Sequence, residues 1–211
     1  MIFPNRFEAG KKLASKLLTT LDLTPNSSLV VLAIPRGGVI IGSQLSSVLK
    51  CPLEVIMTKK IGAPGNPELA IGAVGPIGEP VIDETLAARL GADENYLKSK
   101  ILNLKSELAN RFREYRGDKP TLDLKNKVVV ITDDGVATGS TMKAAIEIIR
   151  QESLQKIIVA VPVIAKDTLK EIENLADEVI YLKAPDLFFA VGQFYQDFKQ
   201  VTDEEVKELL K

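Results

Sequence analysis

Short apolar runs alternate along the chain with longer segments in which apolar residues recur at the spacing of a helix. The runs are too short for a membrane span and predict strands buried on both faces; they cover residues 28–34, 52–58, 128–131, 156–164 and 178–182. The helical spacing predicts helices over 5–22, 39–49, 84–90, 93–116 and 166–176, and one that opens at 135–141. This order predicts an α/β fold with a central, mostly parallel sheet and helices on both faces.

Several segments depart from this alternation. Residues 24–27 are Thr-Pro-Asn-Ser and predict a turn. Residues 61–68 hold two glycines and two prolines in eight positions, which predicts a mobile loop. Two apolar runs at 69–74 and 81–82 predict a short hairpin. The tail from residue 183 onward carries four of the seven phenylalanines, so it needs flat apolar surface to pack against.

The size and charge of the chain limit what kind of protein it can be. With 211 residues, of which 45% are hydrophobic and 26% charged, it can bury a sizeable core, and a single domain over 1–211 is expected. Lys and Arg number 27 against 28 Asp and Glu. The resulting net charge of −1 argues against broad binding to nucleic acids or membranes.

The residue inventory excludes several chemistries. There is no histidine and only one cysteine, Cys51, which rules out intrachain disulfides, Cys/His zinc sites and histidine acid–base catalysis. A bound metal must therefore have oxygen ligands. No apolar signal segment and no apolar run of about 18 residues is present, so a cytoplasmic protein is expected.

The largest group of candidate functional residues follows the predicted strand at 128–131. Asp133 and Asp134 come at its carboxyl end, where open α/β sheets place their ligands. The small residues of 135–141 then lead into a helix, and a helix N-terminus flanked by hydroxyls suits a phosphate. A nucleoside triphosphatase is disfavoured because this turn has no lysine and the wrong glycine spacing. The pattern predicts an acid pair beside a phosphate cradle.

The segment 128–141 resembles the motif that binds 5-phosphoribosyl-1-pyrophosphate (PRPP) in the type I phosphoribosyltransferases. The family's pyrophosphate loop matches residues 35–38, and its flexible catalytic loop matches 59–68, so three motifs occur in the family's order. The tail at 184–192 looks like the base-binding segment of 6-oxopurine enzymes. The loop at 62–69 and the run at 133–139 look most like bacterial and archaeal phosphoribosyltransferase-like proteins whose acceptor base is unassigned.

The resemblance implies a Rossmann-like type I phosphoribosyltransferase fold, with a core over about 26–182 and a small hood from residues 1–22 and 183–211. It implies that PRPP and a nitrogenous base are the partners, that Mg²⁺ is the cofactor, and that the protein forms a homodimer. The 5-phosphate would bind at Ala137, Thr138, Gly139, Ser140 and Thr141. Pyrophosphate would bind at Arg36, Gly37, Gly38, Lys59 and Lys60.

Further roles follow from the same resemblance. Asp133 and Asp134 would accept hydrogen bonds from the ribose hydroxyls and bind Mg²⁺ directly or through water. The loop at 62–67 would close over the reaction as a lid. Phe189 or Tyr195 would stack on the base, although tail aromatics more often belong to a core.

One position departs from the better-known 6-oxopurine enzymes. Ala137 stands where many of them carry an aspartate with a role in proton transfer at the base. Glu68 is a candidate replacement, although an exposed carboxylate is more often a surface or capping residue. Gly135 stands where a larger apolar residue is usual. A purine-like acceptor is expected, but its identity stays open.

Three functions remain in competition. The leading hypothesis is a transferase that moves phosphoribosyl from PRPP to a base and releases pyrophosphate. A non-catalytic regulatory protein that binds PRPP or a nucleotide is the first alternative, and the near-neutral charge weighs against an RNA-binding form of it. The second alternative is a PRPP hydrolase, which would use water as the acceptor.

Overall fold

The computed structural model describes residues 2–21, 28–76, 78–117 and 119–211. The turn expected at 24–27 lies outside these residues. Within them, the strands are β1 Leu29–Ala33, β2 Leu53–Val55, β3 Lys59–Ala63, β4 Asn66–Val74, β5 Val81–Ile82, β6 Val128–Thr132, β7 Lys156–Val163 and β8 Glu178–Lys183. The helices are α1 Arg6–Thr20, α2 Gly37–Leu49, α3 Glu84–Arg89, α4 Glu94–Arg116, α5 Ser140–Ile149, α6 Lys166–Glu173 and α7 Asp203–Leu209, with a 3₁₀ turn at Val191–Phe194.

The main sheet has five parallel strands in the order β2-β1-β6-β7-β8. This confirms the predicted α/β fold and its central parallel sheet. The segment 52–58 is regular only over β2, and its continuation still follows β1, because the Ile56 amide donates to the Ala33 carbonyl at 2.9 Å. The central strand β6 is buried along its whole length, as its β-branched run predicts.

Alternate side chains of the central strand enter two different cores. Val129 and Ile131 face a layer covered by α5 and α6, whereas Val128 and Val130 face a layer covered by α1 and α2. The apolar stripe predicted for the helix after 141 is buried in full: Met142, Ala145, Ile146, Ile148 and Ile149. Because both faces are covered, the sheet leaves its carboxyl edge as the place for chemistry.

The segment 61–68 is not the irregular loop that its glycines and prolines predict. It forms the turn of an antiparallel hairpin, in which β3 and β4 are joined through Pro64 and Gly65. A Cβ at Gly62 would overlap the Pro67 carbonyl oxygen, so glycine there lets the two strands approach closely. Gly65 has a φ of +72°, which suits the tight turn. The two glycines therefore allow close strand packing and a tight turn in this hairpin.

The predicted hairpin between 69–74 and 81–82 is present. Gly72 pairs with Ile82 and Ala73 with Val81, which adds β5 to a three-stranded sheet of order β3-β4-β5. Ile77, in the connection, lies outside the described residues. This small sheet forms an arm beside the carboxyl edge of the main sheet.

Helix α4 fastens the arm to the body of the protein. Its predicted apolar face packs into a third core with residues of β2, β3 and β4; the face consists of Ile101, Leu104, Leu108 and Phe112. The Tyr96 hydroxyl also donates a hydrogen bond to the Gly62 carbonyl at 2.7 Å. The long helix is therefore packed along one side rather than solvated all round.

The N-terminal segment and the tail are joined by backbone hydrogen bonds. The Phe3 amide donates to the Phe194 carbonyl at 2.7 Å, and the Gln196 amide donates to the Phe3 carbonyl at 2.8 Å. Phe3 also contacts Tyr195, and Tyr195 stacks on Phe198. Among the helices described, none combines the length and hydrophobicity needed to cross a membrane.

Candidate active site

The acid pair follows the last residue of β6, at the carboxyl edge of the sheet. The Asp134 amide donates to Asp133 Oδ1 at 2.8 Å, which holds the Asp133 carboxylate against the backbone of its neighbour. Asp134 Oδ2 accepts a hydrogen bond from Arg6 Nε at 2.6 Å. Arg6 begins α1 and is only 8% exposed, so this is a buried ion pair.

Burial makes charge unfavourable at this pair. Desolvation raises the pKa of Asp133 well above its ordinary value, and the neighbouring Asp134 adds to the effect. Desolvation also raises the pKa of Asp134, but Arg6 opposes it by a hydrogen bond and by its charge. A ligand that brings hydroxyl donors or a cation to the pair would favour its ionised form.

The glycine pair at the start of α2 packs directly against the acids. A Cβ on Gly37 would overlap Asp134 Oδ2, and a Cβ on Gly38 would lie 2.9 Å from the Asp133 Cα. Arg36, the N-cap of α2, comes just before them and is joined to Pro35 by a cis peptide bond. Glycine is required here because any side chain would displace the carboxylates.

A small cleft opens beside the acids, where α5 begins. Gly139 caps this helix with a φ of +73° and no side chain, so the backbone N–H groups of the first turn face the cleft without intrahelical partners. The cleft measures about 130 Å³. It is lined by Asp133, Gly135, Val136, Ala137, Thr138, Gly139, Ser140, Thr141, Met142 and Val191.

The backbone of this cradle is held from the side by neighbouring elements. Thr168 Oγ1 donates to the Ala137 carbonyl at 2.5 Å, and the Val136 amide donates to the Val163 carbonyl at 2.9 Å. The hydroxyls of Thr138 and Ser140 lie 3.0 Å apart across the turn. All five residues predicted to bind the 5-phosphate thus line one rigid pocket, whose shape suits a small anion.

A second cleft, of about 200 Å³, adjoins the first at Thr141. Three cationic side chains line it, those of Arg36, Lys59 and Arg111. The remaining lining residues are Ile34, Pro35, Ile56, Met57, Thr58 and Leu108. The two clefts share Thr141, so the anion cradle with Asp133 lies next to the cationic wall. Asp134 follows Asp133 but lines neither cleft.

Comparison with known proteins identifies the family. The model of the phosphoribosyl transferase domain matches residues 2–199 of the chain. The chain belongs to this family. The prediction made from the order of the three motifs is therefore confirmed at the level of the family.

Two relatives and one solved structure are similar to this phosphoribosyl transferase domain over nearly its whole length. A protein of Mycobacterium tuberculosis, strain CDC 1551 / Oshkosh, named "Putative phosphoribosyl transferase", is 36% identical over 205 residues, and strain H37Rv has a protein of the same name and identity. The match covers 97% of this chain and 45% of those relatives, so the chain spans about half their length. The crystal structure of TT1426 from Thermus thermophilus is 41% identical, with a TM-score of 0.87, over 100% of this chain and 98% of that one.

The structure places some of the predicted site residues in the clefts and others outside them. Lys59 lines the cationic cleft and pairs with Glu107, whereas Lys60 is exposed and is absent from that lining. This agrees with the alternation of side chains along a strand. Glu68 is exposed on β4, and among the described residues it forms no ion pair or hydrogen bond with the acid pair.

The two aromatic residues expected to stack on a base differ sharply in their surroundings. Phe189 is 85% exposed at the tail, in a loop organised by Gln193, whose side chain accepts from the Phe189 amide at 3.1 Å. Tyr195 is 6% exposed and stacks on Phe198, and its hydroxyl donates to the Asp134 carbonyl at 2.5 Å. Tyr195 therefore packs beneath the acid pair as a core residue, which corrects its expected role, because its ring has no free face.

The structure explains the small residue after the acids. A Cβ on Gly135 would lie 2.5 Å from Val191 Cγ1 and 2.9 Å from Val163 Cγ1. The 3₁₀ turn of the tail occupies the space that a larger residue would fill. Because residue 135 is a glycine, the tail has room to pack against the phosphate cradle, whose lining includes Val191.

Two arginines near the site were not found by sequence reasoning. Arg6 stands in the first turn of a helix, where a cation opposes the helix dipole, and this unusual placement was a usable signal. Its Cζ lies 3.8 Å from the centre of the Phe198 ring, and Nη1 donates to the Lys199 carbonyl at 2.8 Å. Arg111 had no such signal, since its position depends on where α4 packs.

Proposed function

We propose that this protein transfers the 5-phosphoribosyl group from PRPP to a nitrogenous base and releases pyrophosphate, with Mg²⁺ bound together with the donor. The observation that carries the proposal is that the phosphate cradle, the acid pair and the cationic cleft adjoin one another at the carboxyl edge of β1 and β6. Membership of the phosphoribosyl transferase family supports it.

The 5-phosphate fits the cradle at the start of α5. Backbone N–H groups at 137–141 supply donors, and the hydroxyls of Thr138, Ser140 and Thr141 add more without bulk. The pyrophosphate group then extends into the adjoining cleft toward Arg36 and Lys59. Thr141, which lines both clefts, marks the side of the site along which the ribose would lie.

The acid pair suits the ribose and its reacting carbon. The 2- and 3-hydroxyls would donate hydrogen bonds to Asp133 and Asp134, which favours the charged form of both carboxylates. In the reaction the bond from C1 of the ribose to the pyrophosphate oxygen breaks, and its electron pair leaves with pyrophosphate. A nitrogen lone pair of the base forms the new bond to C1. The carboxylates stabilise the positive charge that builds on the ring between these events.

The residues at this site fit Mg²⁺. The available donors are carboxylate oxygens of Asp133 and Asp134, and Mg²⁺ is commonly bound by one or two carboxylates together with substrate phosphates and water. The residues that the structure describes contain no group of three or more metal-binding side chains, so the ion would be shared with the donor's oxygens. When bound, it supplies charge neutralisation to the leaving pyrophosphate.

The base would enter on the side of the tail. Phe189 offers an exposed ring close in sequence to Val191, which lines the phosphate cradle. The proton released from the base nitrogen needs an acceptor, and Ala137 cannot take it. Glu68, exposed on the arm, is the proposed acceptor, and it would reach the base when the β3–β4 hairpin closes over the site and excludes water.

The proposal is tested by measuring pyrophosphate release from PRPP and Mg²⁺ with a panel of purines, pyrimidines and other nitrogenous acceptors. Release should depend on one class of base, and it should fall at least a hundredfold in the double variant Asp133→Asn with Asp134→Asn, which loses the charge beside C1. The double variant Asp123→Asn with Asp167→Asn, at two exposed positions, should keep full activity.

Two outcomes would contradict this proposal. Undiminished turnover in the acid-pair variant would show that the reaction occurs elsewhere. Release at the same rate with no base present would identify a hydrolase. PRPP binding by calorimetry, with and without Mg²⁺, shows separately whether the donor site itself is intact.

A further inference from the structure

Arg111 projects from the long helix α4 into the cleft that the proposed function assigns to pyrophosphate. We propose that Arg111 binds the pyrophosphate group of PRPP together with Arg36 and Lys59. This inference rests on the proposed function. It gives α4 a part in the site, whereas the PRPP motif lies on β6, the loop after it and the first turn of α5.

The position of Arg111 is set by the packing of α4. Leu108, one turn earlier, is 3% exposed in the third core and also lines the cleft. Leu108 holds α4 against the wall of the cleft. Arg111, three residues later on the same face of the helix, lies at the mouth of the cleft. Lys59 approaches from β3 and pairs with Glu107 of the same helix. Helix α4 and strand β3 therefore form the side of the cleft that faces Arg36.

A carboxylate from the tail lies between the two guanidinium groups. Asp203, the first residue of α7, has Oδ1 3.9 Å from Arg36 Nη1 and 3.7 Å from Arg111 Nη2. The same oxygen accepts a hydrogen bond from the Tyr115 hydroxyl at 2.5 Å. Both arginines thus converge on one anionic group, which shows that a single anion can be reached from both sides.

The contacts to Asp203 leave donors available for a ligand. Separations of 3.7 and 3.9 Å are ion pairs without hydrogen bonds, so neither guanidinium uses its N–H groups on this carboxylate. The Tyr115 hydroxyl holds the Arg111 guanidinium in place, because its oxygen accepts from Nε at 3.3 Å and from Nη2 at 3.2 Å. Half of the Arg111 side chain is exposed. A pyrophosphate group, with more charge and more acceptor oxygens than one carboxylate, would attract these donors more strongly.

The test compares three ligands by calorimetry in the presence of Mg²⁺: PRPP, inorganic pyrophosphate and ribose 5-phosphate. In Arg111→Ala the affinity for PRPP and for pyrophosphate should fall about tenfold or more, because charge-assisted hydrogen bonds are lost. The affinity for ribose 5-phosphate should not change, because that ligand occupies the α5 cradle and the acid pair and carries no pyrophosphate for Arg111 to bind. Arg111→Lys should restore part of the affinity by keeping the charge.

Arg113→Ala provides the matched control. Arg113 is exposed on the same helix and does not line the cleft, so its loss should leave all three affinities unchanged. Equal PRPP affinity in Arg111→Ala and Arg113→Ala would overturn the inference and leave the proposed function intact. An equal loss for ribose 5-phosphate would overturn it too, because Arg111 would then act through the fold. A wild-type protein that binds neither PRPP nor pyrophosphate would overturn both.

Discussion

The carboxylates of Asp133 and Asp134 lie side by side where burial disfavours charge, and the Arg6 charge favours ionisation of both but its hydrogen bond reaches only Asp134. Arg6 is itself in a costly place, since it is buried and stands at the positive end of a helix. The Asp134 carboxylate, the Phe198 ring and the Lys199 carbonyl together surround its guanidinium. Removing one member of such a buried pair typically costs about 3–5 kcal/mol.

At the residue scale, Asp133→Asn should increase stability as the pH rises. The pKa of Asp133 is raised in the folded protein, so its contribution to stability is fully present below the ordinary value of 3.8 and is lost as the pH rises through the folded pKa. The neutral variant avoids this loss. Its advantage should grow by about 1.4 kcal/mol for each pH unit between the two pKa values. Urea unfolding from pH 4 to pH 8 measures it.

The exposed variant Asp123→Asn is the control for this measurement, and its effect should stay small throughout. An advantage of Asp133→Asn that is constant over the pH range would contradict the assignment. It would mean that Asp133 ionises as readily in the folded protein as in the unfolded chain. A confirmed gain would indicate that the acid is kept at a cost to stability, as is common at functional sites.

At the scale of elements, the cradle and the tail are fitted to each other through Gly135 and Val191. Gly135→Ala should lower the free energy of unfolding by about 1–3 kcal/mol, because the added methyl overlaps Val191 Cγ1. Val191→Ala alone creates a small cavity and should also destabilise. In the double variant the two effects should partly cancel, which thermal or urea unfolding would detect.

If the double variant lost as much free energy of unfolding as the two single variants together, the fit between the cradle and the tail would be contradicted. Gly117→Ala is a useful comparison. Gly117 has a φ of +65° with open space around its Cβ position, so its substitution would report backbone strain without a packing clash. Comparing Gly117→Ala with Gly135→Ala therefore separates the cost of backbone strain from the cost of a clash with the tail.

At the scale of the whole molecule, the charges are distributed in pairs. Lys143, Lys156 and Lys166 each contact a carboxylate of a neighbouring element. With a net charge of −1, such a surface offers little counterion release to RNA. We therefore expect no specific RNA retention in filter binding at physiological salt, with or without PRPP. Specific retention combined with no pyrophosphate release for any base would favour the regulatory alternative.

Much of the fold could be predicted from the sequence because its signals are local. The β-branched run of β6, the acids at its end and the glycines of 37–38 and 135–139 each act through residues close along the chain. They therefore specified the parallel sheet and the family motifs directly. The expected homodimer, the cytoplasmic location and the Mg²⁺ dependence stay predictions, since they concern partners and surroundings rather than local structure.

What the sequence determined by itself was the five strands of the main sheet, most of the helices, and the two acids that precede a helix N-terminus, because periodicity and turn chemistry depend on neighbouring residues. It did not predict β3 or α7. Only the tertiary structure decided which side chains complete the site. Arg6 reaches Asp134 across 128 positions, and Arg111 enters the cleft only because Leu108 anchors α4 in the core. The glycine-rich segment became a hairpin for a related reason: β3 and β4 pair with each other, but their buried side chains pack against α4, which is distant in the chain.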